Sequence, residues 1–122
     1  MCVMARTVLI VDDHPSFRAT ARALLETEGY EVVGEAADGS GAVAEAERLR
    51  PQLVLLDVQL PDFDGFEVAR RLQALDHPPQ VVLTSSRDGG DFGPLIARSG
   101  ARGFVPKAEL SGAALAGLLL AL

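Results

Sequence analysis

The sequence predicts a doubly wound α/β domain, (βα)5, with five strands and five helices alternating around an open parallel sheet. Two observations carry that expectation. Apolar runs of strand length recur at 8–11, 53–56 and 81–83, and they are continuous rather than alternating, as in strands covered on both faces. Between the runs lie segments whose apolar residues fall at three- and four-residue spacings and whose ends are legible. Because crossovers between parallel strands are right-handed, the helices must cover both faces of such a sheet.

The first strand, 8–11, runs straight into Asp12 and Asp13. The first helix starts at Pro15, a first-turn position where the missing N–H is no loss, and Gly29 ends it. A weaker strand follows at 30–33. Asp38 and Ser40 offer caps for a second helix carrying Val43, Ala46 and Leu49, which Pro51 closes off. The third strand is 53–56, and the third helix, about 65–75, repeats Phe66, Ala69, Leu72 and Leu75 on one side. After the strand at 81–83, Gly89, Gly90, Gly93 and Pro94 crowd the entrance of the fourth helix, leaving 94–99 before Gly100. Phe104 and Val105 mark the fifth strand, and the fifth helix runs from near Ser111 to the end. No linker, repeat or low-complexity tract interrupts residues 1–122, which read as one domain.

Composition excludes several classes. Apolar residues are 48% and charged residues 23% of the chain, which fits a soluble globular domain and neither a disordered segment nor a membrane protein. Seventeen acidic against eleven basic side chains give a net charge of −6, and the basic residues form no stripe, so direct nucleic-acid binding is not expected. The single cysteine, Cys2, allows no internal disulfide. The first apolar run meets Asp12 and Asp13 too soon for a signal peptide, and the apolar run 113–122 is half the length of a membrane helix. The expected compartment is the cytoplasm.

Chemistry-bearing residues gather at the carboxyl ends of the strands: Asp12 and Asp13 after the first, Asp57 after the third, Thr84 after the fourth and Lys107 beyond the fifth. In an open parallel sheet those ends share one edge, where ligands bind. Three carboxylates with a hydroxyl and an ammonium make an oxygen-rich anionic pocket for a hard divalent cation, and Mg²⁺ fits best because it takes one or two carboxylates and keeps waters or phosphate oxygens. Lys107 is the sole lysine among eleven basic residues. Its compact ammonium suits a carboxylate that becomes phosphorylated.

In order and spacing, VLIVDDHP at 8–15, LVLLDVQLPDFDG at 53–65, VLTSS at 82–86 and GFVPK at 103–107 resemble the receiver domain of two-component response regulators across essentially the whole chain. The resemblance implies a flavodoxin-like sandwich with strand order 2-1-3-4-5. It implies Asp57 as phosphoacceptor, Asp12, Asp13 and Asp57 with the backbone carbonyl of Gln59 as the Mg²⁺ site, and Thr84 and Lys107 as partners of the phosphoryl oxygens. It implies a sensor histidine kinase as donor, Thr84 and Phe104 as switch residues, and Gln59 and Ser86 as residues that tune self-dephosphorylation. DDHP followed by Phe17 and Arg18 resembles the branch often joined to a helix-turn-helix output domain. Two features depart from the family pattern. Ala108 follows the lysine where proline is common, so the Lys107–Ala108 bond is expected to be trans, and residues 87–93 are glycine-rich.

Alternatives come from other classes. Gly39-Ser40-Gly41-Ala42-Val43-Ala44 fits G-x-G-x-x-A, and Asp57 lies 16 residues beyond Gly41, near the spacing of a dinucleotide fold. That reading leaves Asp12, Asp13, Thr84 and Lys107 unexplained. An aspartyl-phosphate phosphatase would want a D-x-D pair, and the sequence has Asp57-Val58-Gln59. A receiver-like interaction module working without phosphorylation is the third. Asp62 and Asp64 read as turn residues, His14 and His77 as solvated histidines lacking a second ligand at metal spacing, and Arg70 with Arg71 as a solvated helix face. No charge follows Glu109. Leu115, Leu118, Leu119 and Leu122 form a stripe for the sheet, leaving Ala113, Ala116, Gly117 and Leu120 as a neutral face for an output domain, an effector or a second copy.

Overall fold

The computed structural model describes residues 6–86 and 92–119. Strands β1 (Thr7–Val11), β2 (Glu31–Ala36), β3 (Leu53–Asp57), β4 (Gln80–Ser85) and β5 (Gly103–Pro106) alternate with helices α1 (Pro15–Thr27), α2 (Gly39–Leu49), α3 (Gly65–Gln73), α4 (Gly93–Arg98) and α5 (Gly112–Leu119). All pairings are parallel and the order is β2-β1-β3-β4-β5. The expected doubly wound, flavodoxin-like sheet is thus the observed one. Among the described residues no helix is long and apolar enough to cross a membrane.

The continuous apolar runs explain themselves in the packing. Leu9, Val11, Val54, Leu56, Val81 and Leu83 point to one side and meet Ala42 and Ala46 of α2 and Phe66, Ala69 and Leu72 of α3. Their neighbours Val8, Ile10, Leu53, Leu55, Val82 and Val105 point to the other and meet Ala21 and Leu25 of α1 and Leu115 of α5. Each strand therefore feeds two cores, which removes the polar alternation of a half-exposed strand.

Two boundaries differ from expectation, those of β2 and α3. β2 continues past Val33 to Ala36, because β1 offers backbone partners up to Val11 opposite Ala36, with an irregularity between Val8 and Leu9. Helix α1 ends as expected, with Glu28 as its C-cap and Gly29 closing it at φ +93°. Helix α3 stops at Gln73, so Leu75 packs from a turn instead. Among the described residues no peptide bond is cis, and Lys107–Glu109 form a short 3-10 turn. Cys2, Gly89, Gly90, Leu120 and Leu122, with the side chains of Ala116, Leu118 and Leu119, lie outside what the structure describes; of the α5 face expected to bind a partner, Ala113 and Gly117 are described and exposed.

Asp62 is more than a turn residue. Asp64 caps its own helix, accepting from Glu67 N–H at 2.8 Å, but Asp62 reaches across to α2. It accepts from the backbone N–H groups of Gly39 at 2.7 Å and Ser40 at 3.0 Å, while Asp38 takes that of Gly41 at 2.7 Å. Three orphan donors of the α2 N-terminus are thereby satisfied by carboxylates. Those backbone donors hold the Asp62 carboxyl at about 2. The contact needs glycine at 39, since a Cβ there would stand 2.8 Å from Phe63 and Val68 and 3.1 Å from Asp62 Oδ1. A carboxyl held low in the folded state stabilises it above the unfolded value near 4, an effect lost as pH falls towards 2. Asp62→Ala should therefore lower the melting temperature at pH 7, and the gap from wild type should close as pH approaches 2. A gap independent of pH would mean that the cap acts by packing alone.

Candidate functional site

Each strand end delivers its residue by backbone bonding. Asp12 follows β1, is fully buried and donates its N–H to the Ala36 carbonyl at 3.0 Å, which ties it to the end of β2. Its own carbonyl accepts from Arg18 Nη1 at 2.6 Å. Glu35 positions that guanidinium, accepting from Arg18 Nε at 2.9 Å and Arg22 Nε at 2.8 Å, and Arg22 first, with Arg18, holds its carboxyl below the usual range. Asp57 closes β3 with 3% exposure, and its Oδ1 accepts from Gln59 N–H at 3.1 Å. Gly65 permits this turn, donating its N–H to Val58 O at 2.6 Å where a Cβ would run into the Asp57 carbonyl. Thr84 lies opposite Asp57 in the β3–β4 register and is fully buried. Lys107 opens the 3-10 turn after β5.

The five strand-end residues form one constellation. Lys107 Nζ lies 2.6 Å from Asp12 Oδ2, 3.5 Å from Asp57 Oδ2 and 4.4 Å from the centre of the Phe17 ring. One ammonium thus bridges two buried carboxylates while an aromatic face shields its outer side. Asp12 Oδ2 accepts no well-angled hydrogen bond among the described residues; the ammonium is its close partner. The Thr84 hydroxyl is buried and has no hydrogen-bond partner among the described residues. Burial pushes the Asp57 carboxyl up to about 6; the Asp12 charge and hydrogen bond add to the rise, while Gln59 N–H and Lys107 oppose it.

A cation has a place here. Single ligand atoms from Asp12, Asp13, His14 and Asp57 all lie within 4.8 Å of one another, and Asp13 and His14 keep one side open to solvent. With all three carboxylates ionised, Lys107 leaves two negative charges uncompensated, which a divalent ion would balance. The oxygen-rich donor set suits Mg²⁺.

The more distant residues divide. Gln59 and Ser86 are exposed, two residues beyond Asp57 and Thr84 respectively. Phe104 is half-buried, and its ring centre lies 5.7 Å from that of Phe92, which is 5.5 Å from that of Phe66. His77 is exposed, as expected, and Arg70 and Arg71 pair with Glu67 on the helix surface. His14 corrects the reading of it as a lone solvated side chain. Although 65% exposed, its Nδ1 stands 3.1 Å from Asp12 Oδ1 and 3.0 Å from Asp13 Oδ1. The signal lay in the run DDHP, which fixes His14 as the N-cap of α1 and folds its N–H back on Asp12 Oδ1 at 2.8 Å. The dinucleotide alternative fails locally, because the α2 N-terminus that would take a pyrophosphate is filled by Asp62.

Comparison with known proteins agrees with this geometry. A family model described as the response regulator receiver domain matches residues 8–115. BvgA of Bordetella pertussis is 42% identical over 106 residues, covering 87% of this chain and 51% of BvgA. EvgA of Escherichia coli, a DNA-binding transcriptional activator, is 34% identical over 101 residues, covering 83% of this chain and 50% of EvgA. The signal receiver domain of NarL from Mycobacterium tuberculosis aligns with a TM-score of 0.83 at 33% identity, covering 96% of this chain and 98% of that one. The chain spans about half the length of the curated relatives it matches. Since the matched stretch runs from Val8 in β1 to Leu115 in α5 and the strand order is that of its structural neighbours, the chain belongs to the receiver domain family of two-component response regulators.

Proposed function

We propose that residues 1–122 act as one phosphorylation-activated switch, in which Asp57 accepts a phosphoryl group from a phosphohistidine of a sensor histidine kinase and the domain then presents an altered face to an output domain or effector. The observation that carries this reading is the buried Thr84 hydroxyl, without a partner among the described residues, beside a buried carboxylate that Lys107 approaches only to 3.5 Å. A buried hydroxyl without a partner costs about 1–3 kcal/mol, and a phosphoryl oxygen on Asp57 would relieve it.

In the transfer, a carboxylate oxygen of Asp57 attacks phosphorus as the P–N bond to the donor histidine breaks, so the protein's work is positioning and charge neutralisation. Lys107 takes up one phosphoryl oxygen as a point charge, and Thr84 donates its hydroxyl proton to another. Mg²⁺, held by the carboxylates of Asp12, Asp13 and Asp57 and the backbone carbonyl of Gln59, supplies positive charge to the phosphoryl oxygens when bound. Gln59 and Ser86, both exposed, govern the approach of water to the acyl phosphate and hence its lifetime. Drawing Thr84 inward opens space beside β5 into which Phe104 turns, and Phe92 and Phe66 are the aromatic neighbours that feel it. Near them Leu95 of α4 is 44% exposed, an apolar side chain on the face a partner would read. The relatives are transcription regulators, so the effector proposed is an output domain of that kind. The acidic balance of this chain assigns it no direct nucleic-acid contact, and the compartment proposed is the cytoplasm.

Incubation with acetyl phosphate and Mg²⁺ should add one phosphoryl group to the intact mass, and Asp57→Ala should abolish it; equal labelling of the variant would sink the assignment. Stability without metal supplies an independent check. The folded carboxyl of Asp57 titrates near 6 and the unfolded one near 4. Between those values the folded state binds more protons, so stability falls as pH rises from about 4 to about 6. The size of this group's contribution is read as the difference between wild type and Asp57→Asn across that window. Asp57→Asn should flatten that fall in chelator, and millimolar Mg²⁺ should raise the melting temperature of wild type at pH 7.5. Identical melting curves with and without Mg²⁺ would remove the metal from the reading.

A further inference from the structure

The cation pocket carries one donor that is not oxygen. His14 Nδ1 stands 3.1 Å and 3.0 Å from one oxygen each of Asp12 and Asp13, and it belongs to the same group of ligand atoms, all within 4.8 Å, as Asp57. The backbone beneath the ring is fixed. The His14 N–H is held on Asp12 Oδ1 at 2.8 Å, and Pro15 immediately after fixes the chain direction into α1. Asp12 is in turn fully buried and fixed through its carbonyl by Arg18 at 2.6 Å.

We infer that His14 is a metal ligand that widens the cation preference of this pocket from Mg²⁺ towards first-row transition metals with affinity for imidazole nitrogen. The inference rests on the proposed metal site and concerns which ion that site selects. Mg²⁺ gains little from an imidazole, being a hard ion that prefers oxygen and water. Co²⁺, Ni²⁺ and Zn²⁺ accept mixed nitrogen and oxygen sets readily, and their affinity for such sites exceeds that of the earlier ions. To bind, Nδ1 must present its lone pair, so the ring takes the tautomer with hydrogen on Nε2, and any proton on Nδ1 leaves to solvent. The two carboxylates now facing that nitrogen would then share the metal with it. Because the ring is two-thirds exposed, binding requires no opening of the core.

The test is calorimetric titration of the unphosphorylated chain with Mg²⁺ and with Co²⁺, in a His77→Ala background that removes the other histidine of the chain. Wild-type His14 should bind Co²⁺ more tightly than Mg²⁺, and His14→Ala should weaken Co²⁺ about tenfold or more while changing Mg²⁺ by less than about threefold. In the Co²⁺ complex the His14 ring protons should show large paramagnetic NMR shifts, and circular dichroism should show the variants folded. Equal weakening of both ions by His14→Ala, or His14 signals without a contact shift, overturns the inference. Asp13→Asn separates this from the underlying reading. If Asp13→Asn weakens Mg²⁺ and His14→Ala has no metal-selective effect, the Mg²⁺ site stands and the histidine ligand falls. If wild type binds neither ion, both fall.

Discussion

The structure depends on keeping two aspartates out of water beside each other. Asp12 has no exposed surface and Asp57 has 3%, and a pair of carboxylates so placed would repel and resist ionisation unless a cation stood between them. Lys107 is that cation: 2.6 Å from one, 3.5 Å from the other, with the Phe17 ring at 4.4 Å reducing its exposure. The asymmetry of the two distances matters. The ammonium is committed to Asp12 and leaves Asp57 the less compensated of the two, which is why burial carries that carboxyl upward so far. A residue poised between its charged and neutral forms is one whose charge a bound metal or phosphoryl group changes easily.

The backbone around that pocket is tied down at several points. Asp12 is tied to β2 through Ala36 and to α1 through Arg18, and Arg18 is braced by Glu35, which β2 can supply only because it runs on to Ala36. On the other side Gly65 lets the loop after β3 fold tightly against Asp57, and Asp62 in that same loop fastens the start of α2. The loop carrying Gln59 is thus anchored at Asp57, at α2 and, through Asp64, at α3. Such multiple anchorage would supply the preorganisation that the proposed phosphoryl transfer needs.

Much of this was legible in the sequence, for identifiable reasons. Strands buried on both faces leave continuous apolar runs, so β1, β3 and β4 could be read directly, and parallel topology then forced Asp12, Asp57, Thr84 and Lys107 to one edge. What escaped reading was set by contacts distant in sequence or by side-chain direction. β2 past Val33 contains Gly34 and Glu35, which look like a strand's end until β1 supplies partners as far as Ala36. Asp62 looked like part of a turn because its partners lie 22 and 23 residues away. His14 looked solvated because most of its surface is, and only the fold shows its one nitrogen turned to two carboxylates.

The same packing explains how a change at Asp57 can reach a distant face. Thr84 sits in β4 between the site on one side and β5 on the other, with its register neighbours Asp57 in β3 and Val105 in β5. Close-packed strands do not yield gradually, so drawing a buried hydroxyl from an unpartnered position to a bonded one favours a discrete second arrangement. Phe104 adjoins Val105, and its ring contacts Phe92 at the entrance of α4, which contacts Phe66 in α3. Phe66 is the second residue of the helix that Gly65 opens, and Gly65 is bonded back to Val58, next to Asp57. The aromatic chain therefore starts and ends near the phosphoacceptor proposed here, by way of β5 in one direction and the β3–α3 turn in the other. A rearrangement at Asp57 would act on α4 through both ends of that chain, and α4 carries the exposed Leu95. On the proposed function, signal output through this face would require only that three rings repack around a threonine that has found a partner.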